Sequence, residues 1–112
     1  MKLPNAGQVI VDKEKIINYL LNEAHPDNGG KATFFQGLGF DREEWSRLSS
    51  AFTILAGTTR ITKIVESSHG SKYILDGRIE GPGGKAAFVR TIWILDRNSA
   101  VPRLVTAYPH IV

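Results

Sequence analysis

The sequence contains no cysteine, which excludes disulfides, thiol catalysis and cysteine-ligated zinc or iron–sulfur sites. No apolar run approaches the roughly 18 residues of a membrane-spanning helix. The start, Met1-Lys2-Leu3-Pro4-Asn5, lacks the apolar segment of a signal peptide. There is no internal repeat, no low-complexity tract and no GxSxG nucleophile elbow, so a triad hydrolase is not expected. The three histidines, His25, His69 and His110, have no metal-site spacing among themselves or with nearby carboxylates, so neither a metal nor another cofactor is expected. These absences predict a cytoplasmic domain with no membrane partner.

What remains is an ordinary globular composition: 112 residues, 42% hydrophobic and 22% charged. That length suits one domain over residues 1–112, with a single core. The net charge is +3, and it is unevenly spread. Residues 1–56 carry 6 basic and 7 acidic side chains, whereas residues 57–112 carry 8 and 4. The excess positive charge therefore lies in the second half, which favours an anionic partner such as RNA.

The periodicity changes near residue 57. Before it, Asp12 stands as a cap for a helix reaching about Glu23, with Ile16, Ile17, Leu20 and Leu21 on one face. Lys31 opens a second helix with Phe34, Phe35 and Leu38 inward and Gly39 as its stop. Asp41 and Glu44 have the spacing of a capped start for a third, which presents Trp45, Leu48, Phe52 and Leu55 and closes at Gly57. The upstream run Gln8-Val9-Ile10-Val11 reads as a small strand or a buried lead-in. After residue 57 come four strand-like segments, Thr58–Glu66, Lys72–Glu80, Lys85–Asp96 and Arg103–Tyr108. Turn-forming Ser67-Ser68-His69-Gly70, Gly81-Pro82-Gly83-Gly84 and Arg97-Asn98-Ser99-Ala100 separate them. The third is apolar on both faces and suits a central position. Pro102 places the fourth at an edge. The predicted fold is α+β, with a helical part (1–57) packed on one face of a four-stranded antiparallel sheet (58–112).

Two clusters carry the candidate chemistry. In His25-Pro26-Asp27-Asn28-Gly29-Gly30-Lys31, two glycines precede a helix start, where unpaired backbone N–H groups and Lys31 would receive a phosphate oxygen. The alternative for Gly29 and Gly30 is a plain helix–helix loop. On the sheet, Arg90-Thr91 interrupts an apolar strand. Burying an arginine alone is too costly. Arg90 must therefore face a solvated cleft or pair with Asp76, Glu66 or Glu80. Strand alternation puts Thr106 and Tyr108 on one face and Arg103 with Val105 on the other, unless a bulge intervenes. Convergence of His25, Lys31, Arg90, Thr106 and Tyr108 around one phosphate would supply proton transfer and charge stabilisation for RNA cleavage without a metal.

The blocks Lys2-Leu3-Pro4-Asn5-Ala6, His25-Pro26 with Gly30-Lys31-Ala32, Gly81-Pro82 with Gly84-Lys85, and Pro102-Arg103-Leu104-Val105-Thr106 resemble a bacterial domain family of unknown function. Its members occur as standalone proteins and as C-terminal modules of polymorphic toxins and phage-associated proteins. The order of helices then sheet is similar to the barnase–colicin–RelE group of ribonucleases. The resemblance implies metal-independent RNA cleavage, with His25, Lys31, Arg90 or Thr91, Arg103 and Thr106 as matched polar positions. Asp27 departs from the neutral or apolar residue of toxin-like members. Beginning at Met1 without a delivery region, the chain reads as a standalone relative, and a toxin of this kind implies a small acidic inhibitor protein as partner. A binding module without catalysis, taking nucleic acid or protein on the same sheet, is the alternative. An immunity-type role fits the net positive charge poorly.

Overall fold

The computed structural model describes residues 1–110. After a 3-10 turn at Ala6–Gln8, the first helix, α1, comprises Lys13–Lys15 and continues as a π-helical stretch over Ile16–Leu20. Leu21 N–H closes that stretch on Ile16 O at 2.9 Å. The helix thus stops short of Glu23. Asn22 N–H donates to the carbonyl of Tyr19 at 3.2 Å, and Asn28 Nδ2 donates to the same carbonyl where the helix ends. Ile16, Leu20 and Leu21 are buried as the apolar face predicts.

Helix α2 covers Lys31–Gly37 and buries Ala32 and Phe35, with Leu38 buried just beyond it. Gly39 follows in a left-handed conformation, φ 98°, as its predicted stop. Asp41 Oδ1 accepts from Glu44 N–H at 2.7 Å, but this bond closes a turn ahead of the helix, which begins at Trp45 with Glu44 as an N-cap that makes no side-chain cap bond. Helix α3, Trp45–Thr58, buries Leu48, Phe52 and Leu55 and runs through Gly57 rather than ending there. That extension takes residues from the first predicted strand, which begins at Lys63.

Strands β1 (Lys63–Ser67), β2 (Gly70–Glu80), β3 (Ala86–Asp96) and β4 (Arg103–Pro109) form one antiparallel sheet in the order β1-β2-β3-β4. The fold is α+β, three helices against a four-stranded antiparallel sheet, with β3 central as expected. Leu75, Ile79, Val89, Trp93, Leu104 and Ala107 project from the sheet into the core shared with the helices. Gly77 lets α3 approach β2 closely, since a Cβ there would lie 2.9 Å from Thr59 Oγ1 and 3.3 Å from Leu55.

The β3–β4 register holds the feature that shapes the site. Trp93 pairs with Leu104 but Ile92 pairs with Thr106, so Val105 is an extra residue in a bulge. Cross-strand partners share a face, and Arg103 opposite Ile94 therefore lies on the same face as Thr106 opposite Ile92. The separation expected from strict alternation is removed. Ile10 pairs alongside β4 through bonds to Pro102 O and from Leu104 N–H, each 2.9 Å, and part of that edge is covered.

Candidate functional site

The loop between α1 and α2 is tied by Asn28, which is 3% exposed. Its Nδ2 donates to Tyr19 O, and its Oδ1 accepts from Ala32 N–H at 2.9 Å. One side chain thereby satisfies the end of one helix and the start of the next. Lys31 Nζ donates to Asn28 O at 3.1 Å. These bonds fix where His25 and Lys31 stand.

Tyr19 is the hub of what they approach. Its ring meets His25 edge-on with centroids 5.1 Å apart. Lys15 Nζ and Lys31 Nζ lie 5.3 and 5.5 Å from its centroid, a distance at which cation–π attraction operates. Its hydroxyl shares a hydrogen bond with Thr106 Oγ1 at 3.1 Å. Lys31 Nζ is also 6.0 Å from the Tyr108 ring. Residues from α1, the loop, α2 and β4 therefore gather at one edge of the sheet. Two clefts of about 390 and 400 Å³ flank this cluster and share Lys15, Tyr19 and His25 in their walls.

The imidazole of His25 is restrained. Asp27 N–H donates to its Nδ1 at 3.0 Å, so in the neutral ring the proton resides on Nε2. His25 thus offers Nε2 as a donor.

Arg90 follows the paired alternative. Its Nε and Nη2 donate to the two carboxylate oxygens of Asp76 at 2.7 and 2.8 Å, a bidentate fork. The bond to Asp76 raises the Arg90 pKa above its ordinary value, and Arg90 in turn holds the Asp76 carboxyl below its usual range. His110 Nε2 stands 3.5 Å from the same carboxylate. Tyr108 is opposite Arg90 in the ladder. Arg90 is therefore one step removed from Lys31, behind Tyr108, with Nε and Nη2 engaged by Asp76.

Thr91, expected at the substrate, is instead fully buried, donating to Leu75 O at 2.9 Å and accepting from Trp93 Nε1 at 2.8 Å as part of the core. Gly29 and Gly30, φ 63° and 86°, turn the chain into α2, but no open phosphate cradle follows them. The N–H groups of Lys31 and Ala32 are taken by Asn28 O and Oδ1. Arg103 pairs with Asp96 at 3.3 Å while lining the smaller cleft. Among the described residues, no three His, Asp or Glu side chains are grouped to hold a metal ion. No helix there is long and apolar enough to cross a membrane.

The sequence reading passed over Tyr19, Lys15 and Asn28. The i, i+4 spacing of Lys15 and Tyr19 was the available signal for the first two. For Asn28 nothing local distinguishes a buried capping amide from a loop residue.

The sequence matches the family described as "Domain of unknown function (DUF6883)" over residues 2–111, and the chain belongs to that family. Among solved structures it is similar to a chain of the contact-dependent growth inhibition toxin–immunity protein complex from Klebsiella pneumoniae 342. The two are 21% identical with a TM-score of 0.73, covering 90% of this chain and 99% of that one, and they share a fold. No curated protein matches the sequence.

Proposed function

We propose that this DUF6883 domain is a toxin-type endoribonuclease that works without a metal at the Tyr19–His25–Lys31–Thr106 cluster. The observation that carries the reading is the meeting of His25, two lysines and two hydroxyls at the β4 edge, where His25, Lys15, Tyr19 and Thr106 line an open cleft. It is supported by the fold shared with one chain of a contact-dependent growth inhibition toxin–immunity protein complex.

In such a reaction the 2′-oxygen bonds to the adjacent phosphorus and the bond to the 5′-oxygen breaks, leaving a 2′,3′-cyclic phosphate and a 5′-hydroxyl. His25 Nε2–H donates a hydrogen bond to the departing 5′-oxygen, which takes its proton from solvent. The ammonium groups of Lys15 and Lys31 face the charge that builds on the phosphate. The Tyr19–Thr106 hydroxyl pair carries the 2′-proton away to solvent. Arg90 is a positioning residue that acts through Tyr108. Arg103 and Tyr108 border the substrate path, and a small acidic protein covering this basic edge would inhibit the reaction.

Incubation of the purified chain with single-stranded RNA in the presence of a chelator tests this. Cleavage to cyclic-phosphate ends, lost in His25→Ala and Lys31→Met, is expected. Intact RNA under conditions where the fold is verified would refute it. A second reading, nucleic-acid or protein binding without catalysis, is favoured by one observation, the engagement of Arg90 with Asp76. It predicts association that weakens steeply with salt and no cleavage.

A further inference from the structure

Lys15, Tyr19 and His25 form the junction between two clefts of similar size. One, about 400 Å³, continues over Asp27, Val105 and Thr106. The other, about 390 Å³, follows the exposed side of α1 past Glu14 and Asn18 towards Arg103. Sites for small ligands begin near 300 Å³, so each cleft has room for one nucleotide unit. The cationic and proton-carrying groups stand where the clefts meet, while the walls beyond are more varied.

Two side chains of the α1 cleft stand ready for a base, the Glu14 carboxylate as an acceptor and the Asn18 carboxamide as donor and acceptor both. Lys13 Nζ is turned over the Trp45 ring at 5.5 Å, and Arg103 is held by Asp96. Glu14 and Asn18 are exposed, and among the described residues neither side chain has a hydrogen-bond or ion-pair partner. Four residues apart along α1, they neighbour each other on its surface.

Building on the ribonuclease reading, we propose that the site takes a dinucleotide step of a single strand. The phosphodiester lies at the Lys15–His25 junction, one nucleoside occupies each cleft, and the Glu14 carboxylate sets the base preference in the α1 cleft. A carboxylate accepts only. Bases with an exocyclic amine (cytosine, adenine, guanine) give it an N–H to accept. Uracil instead sets a carbonyl oxygen on either side of its single ring N–H, and the carboxylate repels them. The site therefore selects against uracil in that cleft.

The test uses 2′-O-methyl dinucleoside monophosphates, which cannot be cleaved by 2′-attack, titrated into the whole chain and followed by NMR shifts or calorimetry. The CpC and ApA compounds are expected to bind roughly tenfold tighter than the matching mononucleotides and roughly tenfold tighter than UpU. Glu14→Gln, a surface change, should bring UpU within about threefold of CpC. Equal affinity for monomer and dimer, equal affinity for CpC and UpU, or no binding of any compound would overturn the proposal. Because the probes are inert, RNA cleavage and this binding fail separately. Intact RNA with the expected ranking sinks the ribonuclease reading alone, and cleavage without the ranking sinks this one.

Discussion

The hydroxyl of Tyr19 and the hydroxyl of Thr106, 87 positions apart in sequence, share a hydrogen bond of 3.1 Å. It joins the π-helical end of α1 to the strand residue that the Val105 bulge turns towards it. Both irregularities occur where the candidate groups assemble, and π-turns and bulges re-aim side chains in just this way.

Tyr19→Phe separates the hydroxyl from the ring. The variant keeps the aromatic surface beside His25, Lys15 and Lys31 and loses only the bond to Thr106. A stability loss of about 1 kcal/mol is expected in urea denaturation, the net worth of one hydrogen bond. RNA cleavage should fall much further than that loss can explain, since well over nine-tenths of the chain stays folded. Cleavage at the parental rate would remove Tyr19 from the reaction and leave it a packing residue.

Asn28→Ala strips a buried cap from two helix ends at once. The Ala32 N–H loses its partner and the Tyr19 carbonyl keeps only its bond from Asn22 N–H, in a site too enclosed for ready replacement. Unfolding free energy should drop by about 2–4 kcal/mol. Asn28→Asp should recover only the bond to Ala32, since a carboxylate cannot donate to the Tyr19 carbonyl. Denaturation midpoints of the two variants within error of the parent would show that the loop is held by something else.

Asp76 is held below its ordinary pKa by the Arg90 guanidinium, so its carboxylate stabilises the fold at neutral pH. The contribution is complete above the unfolded carboxyl value, near 3.9, and disappears as pH falls through the lower folded value. The pair is only partly exposed, 30% for Arg90 and 15% for Asp76. Asp76→Asn should therefore cost about 1–2 kcal/mol at pH 7. The gap between parent and variant should stay level down to about pH 4 and close below it. A gap that already narrows between pH 7 and 5 would assign the effect to another group.

Helix positions and strand order were legible because apolar spacing changes once, near residue 57, from a helical to an alternating pattern. The bond of Asp41 to Glu44 N–H was legible for a local reason, a carboxylate three residues before the N–H it accepts, although it closes a turn and not the helix itself. What escaped depends on contacts distant in sequence. Val105 is an ordinary strand former, and nothing in its neighbourhood announces a bulge that moves Arg103 beside Thr106. The choice of Asp76 for Arg90 follows from the β2–β3 register, in which the two are directly opposite. Thr91 looked like a polar break in an apolar strand and therefore like a functional residue. It is a core hydroxyl that exists to satisfy an indole.

That role makes Thr91 a control for the site. Thr91→Val keeps the shape and removes the acceptor of the Trp93 Nε1–H bond, leaving a buried donor without a partner. Stranding such a group costs about 1–3 kcal/mol, so the melting temperature should fall measurably. Thr91→Ser retains the hydroxyl and should recover most of that loss. Both variants, assayed well below their transitions, should cleave RNA and bind the uncleavable dinucleotides as the parent does. Selective loss of binding in a folded Thr91→Val protein would mean that the strand opens to admit substrate, and that the bonds from Thr91 to Leu75 and Trp93 belong to a closed state.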